Sequence, residues 1–135
     1  MLIRTLWVLS AILVLAAPSK AADCPVQGGA DIAKALEKAS SCDAAFKLFE
    51  ACAYGSSIDV QFGATVTEKC EGDFLPKFSA AQRKACDREQ DACTRKYLKQ
   101  DGTMYRSFEA FCHAKLARAY ARRLAASPKG PAAQK

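Results

Sequence analysis

Apolar residues recur at helical spacing along most of the chain. The clearest run is Ile58, Phe62, Val66, Cys70 and Phe74, which repeat every four residues and therefore lie on one face of a helix. β-Branched residues cluster nowhere, whereas Ala, Lys, Glu, Gln and Leu are frequent, and this composition favours helices over strands. The pattern predicts an all-α fold, a small bundle of four to five helices with antiparallel helical hairpins.

Capping and turn residues divide this pattern into separate helices. The predicted helix starts are Asp31, Asp43, Ser56 or Ser57, Ser79 and Thr103. The first helix should end near Ala39 and the second near Tyr54, before Gly55. Gly63 lies inside the third run, which argues against a continuous helix there, and Pro76 marks the next boundary.

The last two helices are expected to form a hairpin. Ser79-Ala-Ala-Gln82 has the form of a capping box, and the helix that follows extends to about Gln100. Its inward residues are predicted to be Cys86, Cys93 and Tyr97. After the Asp101-Gly102 turn, the predicted buried face of the last helix consists of Met104, Phe108, Phe111, Cys112 and Ala119.

The beginning of the chain has the pattern of an export signal. Arg4 precedes an apolar run from Leu6 to Ala16, too short to cross a bilayer as a helix, which takes about 20 residues. Small residues at Ser19 and Ala21 predict cleavage after Ala21. We therefore expect a signal peptide at 1–21, a single helical domain at 22–126, a disordered tail at 127–135, and a periplasmic or secreted location without stable membrane insertion after cleavage.

All seven cysteines follow the predicted signal, at positions 24, 42, 52, 70, 86, 93 and 112. In an oxidising compartment the default expectation is disulfides, so the bundle is predicted to be disulfide-stapled. Because seven is odd, at least one thiol stays free or pairs with another chain.

Hairpin geometry distinguishes some of the possible pairs. Cys93 and Cys112 lie about eight and ten residues from the Asp101-Gly102 turn, an axial mismatch of only about 3 Å, so a disulfide between them is predicted. Cys42 lies opposite Cys70 across the second hairpin, but it could instead pair with Cys52 if Cys42 were in a loop that folds back. Geometry leaves these two alternatives open. In the first of them, Cys24, Cys52 and Cys86 remain, and one is unpaired.

The only histidine, His113, directly follows Cys112. Adjacent helical residues diverge by about 100° and do not face each other, so a nucleophile–base pair is not predicted. A zinc site from Cys86, Cys93, Cys112 and His113 lacks the close C-x-x-C pairs of common structural sites. With no other catalytic motif in the sequence, we expect a non-enzymatic protein without catalytic residues, cofactor or metal.

The C-terminal helix carries a cluster of basic residues. Its members are Lys115, Arg118, Arg122 and Arg123, and no acidic residue follows Cys112. Such a cluster could attract an anionic envelope polymer, whereas the simpler interpretation is that these cations complete a helix C-terminus. No nucleic-acid partner is expected.

The C-terminal half resembles the LprI-type lysozyme-inhibitor domain family, best over residues 80–124. The stretches that carry the resemblance are AAQRKACDREQDAC (80–93), DGTM (101–104) and FCHAKLARAYARRL (111–124). In that family an A-Q-R helix ends in D-A-C, a Gly-Ser/Thr turn follows, and a second cysteine precedes A-x-L-x-R. The matching positions are Ala81-Gln82-Arg83, Asp91-Ala92-Cys93, Gly102-Thr103, Cys112 and Ala114 to Arg118.

The resemblance implies a lysozyme-like protein partner. Cys42 and Cys52 resemble the family's N-terminal cysteine pair, which favours a Cys42–Cys52 bridge, while Cys24 and Cys70 have no counterpart in the family pattern. Common lysozymes are basic, and without Arg4 and Lys20 this chain has 18 basic against 14 acidic residues, a net charge of +4. An acidic patch at Glu68, Glu71 and Asp73 is the local surface that could meet such a partner.

Overall fold

Five α-helices and one short 3₁₀-helix make up the part of the protein that the computed structural model describes, residues 23–127, and no strand occurs in that range. The helices are α1 (Gly29–Lys38), α2 (Cys42–Cys52), α3 (Ile58–Phe74), α4 (Ala80–Tyr97) and α5 (Thr103–Ala126), with the 3₁₀-helix at Leu75–Lys77. The predicted disulfide-stapled all-α bundle is confirmed. The predicted signal peptide at 1–21, and the predicted tail beyond Ser127, lie outside the described residues.

The cap predicted at Ser79 is present, whereas the other predicted helix starts need correction. Helix α2 starts at Cys42 after a Ser41 cap rather than at Asp43, and Ser57 precedes α3 without a side-chain capping hydrogen bond. Ser79 and Gln82 form the predicted capping box, in which the Ser79 backbone N–H donates to Gln82 Oε1 at 2.8 Å. The prediction that Asp31 caps α1 is wrong, because the helix starts at Gly29 and Asp31 lies in its first turn. Thr103 is likewise the first helical residue rather than the cap, since Gly102 with φ 109° precedes α5.

Neighbouring helices along the chain run antiparallel. The Cys42–Cys70 bridge joins the start of α2 to the end of α3, and the Cys93–Cys112 bridge joins α4 to α5 across their hairpin. Helices α3 and α5 run in the same direction: Asp59 contacts Ser107 near their starts, and Phe74 packs on Tyr120 towards their ends. These two helices share the largest interface in the described chain.

The buried face of α5 differs from the predicted one. Its buried residues are Ser107, Ala110, Ala114, Ala117 and Ala121, whereas Met104 and Phe108 are exposed, and Phe111, Cys112 and Ala119 are only partly buried. Close approach to α3 explains the difference: a Cβ added at Gly63 would lie 2.8 Å from the Cβ of Ala110. Only small residues fit between helices this close, so the larger side chains of α5 lie outside the interface.

Large apolar side chains from α1, α2 and α3 fill the core instead. Its largest fully buried members are Phe46, Phe49, Phe62, Phe74, Ile32, Leu36 and Val66. The ring of Phe49 stacks on that of Phe111, with centroids 4.1 Å apart. Gly63 does not interrupt α3, contrary to the expectation from sequence, because it lies at this close helix contact.

Three disulfides join Cys24 to Cys52, Cys42 to Cys70, and Cys93 to Cys112, and Cys86 is a buried thiol. The Cys93–Cys112 pair agrees with the hairpin prediction. The Cys42–Cys52 pair implied by the family resemblance is wrong, because these residues are the first and last of α2 and ten helical residues span about 15 Å. Both instead pair with Cys24 and Cys70, the two cysteines without a counterpart in the family pattern.

Candidate functional site

A groove of about 650 Å³ runs along the outer side of the α3–α5 contact. It exists because the small residues Gly63, Ala64 and Ala110 leave space above the helix interface. The remaining lining residues are Val60, Thr67, Glu68, Glu71, Arg106, Glu109 and His113. We call these ten residues the acidic groove. A second depression adjoins it and shares Glu68 and Glu71.

One of the three carboxylates in the acidic groove, that of Glu109, is already paired with a cation. Arg106 Nη1 donates to Glu109 Oε2 at 2.8 Å, and Arg106 Nη2 donates to the backbone oxygens of Tyr97 and Gln100, each at 3.0 Å. Among the described residues, neither Glu68 nor Glu71 takes part in an ion pair. The groove therefore presents two uncompensated carboxylates on α3.

The surroundings of Glu71 disfavour its negative charge. Burial raises the pKa of Glu71, and the nearby carboxylates of Asp87 and Glu68 raise it further. One helical turn before, the Thr67 hydroxyl is buried and has no hydrogen-bond partner within the described residues. A positive charge in the groove would relieve the repulsion between the carboxylates, and a hydrogen-bonding group there could satisfy Thr67.

His113 lies at the back of the groove and is held by α4. Its Nδ1 contacts Gln90 Oε1, and its Nε2 lies 3.2 Å from Thr94 Oγ1 and 3.8 Å from Glu109 Oε1. The neighbouring Cys112 is in a disulfide, so its sulfur is not a thiol that His113 could activate. Between residues 23 and 127, no three His, Cys, Asp or Glu side chains are grouped so that they could hold a metal ion.

The predicted basic cluster on α5 does not form one free surface. Arg118 is largely engaged: its Nη2 lies 2.6 Å from Asp43 Oδ1, its guanidinium lies 4.4 Å from the centre of the Phe46 ring, and its side chain is 17% exposed. Arg123 lies over the Tyr120 ring at 4.6 Å. Lys115, Arg122 and Arg123 are exposed, and Arg122 Nε approaches the same Asp43 Oδ1 at 3.7 Å.

The predicted acidic patch corresponds only in part to the groove. Glu68 and Glu71 line it, whereas Asp73 lines neither the groove nor the adjoining depression. Sequence reasoning did not include Glu109, Arg106 or Thr67. Helical spacing places Thr67 and Glu71 together on α3, but it does not show that α5 runs parallel to α3 and adds Glu109.

Asp59 is a buried acid that sequence reasoning also missed. Its carboxylate accepts hydrogen bonds from the backbone N–H groups of Tyr54, Gly55 and Ser56 at 2.8–3.2 Å, and from Ser107 Oγ at 2.6 Å. This network fixes the α2–α3 turn to α5. An acidic residue in the first helical turn, two residues after the Gly55-Ser56-Ser57 segment, is the sequence signal that could have revealed it.

Comparison with protein-family models, with curated proteins and with solved structures finds no match to this chain. Between residues 23 and 127, no helix combines the length and apolar character that crossing a membrane requires.

Proposed function

We propose that this chain is an exported, non-enzymatic binding protein that takes up basic side chains of a protein partner in its acidic groove, and that the partner is a basic lysozyme. The observation that carries the proposal is the pair of uncompensated carboxylates, Glu68 and Glu71, on the wall of an otherwise largely apolar groove. The resemblance of residues 80–124 to lysozyme-inhibitor domains supports the same partner. The three disulfides support an oxidising location, periplasmic or secreted.

Lysine and arginine are the side chains that this lining suits. Their aliphatic stems pack on apolar surface while their charged heads reach polar groups, and here Val60, Ala64 and Ala110 lie beside the carboxylates. Burial and, after it, the carboxylates of Asp87 and Glu68 raise the pKa of Glu71, and these neighbouring carboxylates would also stabilise a cation beside it. The groove thus gives a positively charged protein a local surface of opposite sign, although the net charge of the chain is positive.

The alternative function is a structural or interaction protein whose basic C-terminal helix binds anionic envelope components. The structure gives this alternative less support, because Arg118 is paired with Asp43 and Arg123 lies over Tyr120. Lys115, Arg122 and Arg123 are the exposed members of the predicted cluster, and Arg122 also approaches Asp43.

The test is a titration of lysozyme activity with the purified protein. We expect activity to fall in proportion to added protein and to reach its minimum near one equivalent. Lysozyme with acetylated lysines keeps its arginines but has lost the lysine charges, so it should be inhibited more weakly when a small soluble substrate reports activity. Native lysozyme that keeps full activity in an excess of the protein would contradict the proposal.

A further inference from the structure

One end of the bundle exposes an unusual amount of apolar surface. Of the large hydrophobic side chains in residues 23–127, five are exposed: Tyr54, Val60, Leu98, Met104 and Phe108. All five belong to the end of the bundle where α3 and α5 start, since Tyr54 precedes α3 and Leu98 precedes α5. The opposite end, where these helices finish, exposes none of this group.

The α4–α5 turn forms the most exposed part of this end. Leu98 is 64% exposed, Met104 49% and Phe108 42%, and we call these three residues the hairpin tip. The Phe108 ring lies 6.3 Å from that of Tyr97 and 6.0 Å from that of Tyr105, so aromatic side chains surround it. The tip is held firmly, because Arg106 binds the backbone oxygens of Tyr97 and Gln100 and the Cys93–Cys112 bridge closes the hairpin.

Basic residues surround the hairpin tip. The segment 95–104 contains Arg95, Lys96 and Lys99 against one acid, Asp101. Lys96 lies over the Tyr97 ring at 5.2 Å, which places its ammonium group beside the aromatic residues. The groove that adjoins the tip is lined by Lys96 and Lys115 and by one acid, Glu50. The local charge is therefore positive on balance.

We propose that the hairpin tip docks onto an anionic membrane surface, with Leu98, Met104 and Phe108 entering the headgroup region and Lys96 and Lys99 contacting lipid phosphates. Exposed apolar side chains gain by leaving water, and aromatic residues with nearby lysines suit the boundary between headgroups and acyl chains. Each lysine near an anionic bilayer strengthens binding about fivefold. This peripheral contact lies at the end of the bundle, whereas Glu68 and Glu71, the uncompensated carboxylates of the acidic groove, lie further along α3.

Trp7, in the predicted signal peptide, is the only tryptophan in the sequence, so replacing it leaves a protein without tryptophan fluorescence. A Met104→Trp reporter, made together with Trp7→Phe, is mixed with phosphatidylglycerol–phosphatidylcholine vesicles and with phosphatidylcholine vesicles. We expect sedimentation with the anionic vesicles only, together with a blue shift of tryptophan emission and quenching by brominated lipid. A Lys77→Trp reporter at the opposite end of the bundle is the matched control and should show neither spectral change.

Two further variants separate the contributions of apolar and charged side chains. Leu98→Asp/Met104→Asp should abolish vesicle binding, and Lys99→Gln should weaken it about fivefold. Both change exposed positions, and unfolding curves that match the parent protein verify that the fold is kept. Vesicle binding that survives Leu98→Asp/Met104→Asp overturns the proposal. Two other results would also overturn the proposal. One is tryptophan emission of the Met104→Trp reporter that shifts on self-association of the protein but not on addition of vesicles. The other is binding to soluble polyphosphate without binding to vesicles.

Discussion

Asp59 shows how one buried acid can organise the junction of three helices. It accepts three backbone N–H groups of the α2–α3 turn and the hydroxyl of Ser107 on α5, and its side chain is shielded from water. Hydrogen bonds to a charged acceptor are stronger than those between neutral groups. Three backbone N–H groups of the α2–α3 turn therefore depend on this side chain for their hydrogen bonds.

Asp59→Ala should lower the free energy of unfolding by about 2–4 kcal/mol, because several donors lose a charged partner at once. Ser107→Ala removes only one of these bonds and should cost about 1 kcal/mol. Urea unfolding followed by circular dichroism measures both. Asp31→Ala, at an exposed acid on α1, is the control and should change stability by less than about 0.5 kcal/mol. A loss of stability no larger for Asp59→Ala than for the control would contradict this role.

Asp43 makes stability depend on pH in a defined direction. The hydrogen bond from Arg118, followed by that from Lys47, holds the pKa of Asp43 below its ordinary value of 3.8. A carboxylate with a depressed pKa in the folded state contributes stability above its unfolded pKa, and the contribution is lost as the pH falls through the folded pKa.

The difference in stability between the parent protein and Asp43→Asn should therefore be constant at neutral pH and shrink as the pH falls below about 3.8. Urea unfolding at a series of pH values measures this difference. Lys34 and Asp31 form a weaker, exposed pair, and Asp31→Asn provides the comparison in which little change is expected. An Asp43→Asn difference that stays the same at every pH would show that the charge contributes nothing.

At the scale of the helix, the contact between α3 and α5 determines where the groove can be. Gly63 and Ala110 allow the two backbones to approach, and the same small residues leave the space that becomes the acidic groove. A Cβ at Gly63 would meet the backbone of Ala110 at 3.1–3.2 Å, where no flexible side chain can give way.

Gly63→Ala should destabilise the protein by about 1–3 kcal/mol, because overpacking pushes the helices apart. Gly72 lies in the same helix with nothing within 4 Å of its added Cβ, so Gly72→Ala should stabilise by about 0.5–1 kcal/mol. Urea unfolding of both variants measures the change in the free energy of unfolding. If Gly63→Ala also stabilises the protein, the close contact of α3 with α5 is wrong.

Helix starts and helix faces were predictable from the sequence where neighbouring residues alone determine them. The capping box at Ser79 and the four-residue spacing of Phe62, Val66 and Phe74 follow from neighbouring residues alone, and the structure has both. The buried face of α5 was not predictable, because Met104 and Phe108 are the more apolar residues and only the fold shows that alanines lie against α3. Similarly, spacing gave Cys93–Cys112 but left the partner of Cys42 open until the helix containing both Cys42 and Cys52 was known.

At the scale of the whole molecule, the acidic, apolar and basic surfaces lie at different places on the bundle. The acidic groove lies along α3 and α5, the hairpin tip lies at the end where α5 starts, and Lys115 and Arg122 lie further along α5. The net charge of the sequence did not show this arrangement, since it sums over surfaces that can act separately. Two of the three acids in the predicted patch line the groove, so the sequence identified the wall on α3 but not the wall on α5.

The most direct test of the central claim is the affinity for a basic lysozyme, measured by isothermal titration calorimetry for the parent protein and two charge-matched variants. Glu68→Gln/Glu71→Gln removes the uncompensated carboxylates of the groove, and Asp31→Asn/Glu37→Gln removes two exposed acids on α1. We predict a dissociation constant about tenfold or more weaker for the groove variant and an unchanged value for the α1 variant. Equal affinities for all three proteins, or an equal loss in both variants, would contradict binding through the acidic groove.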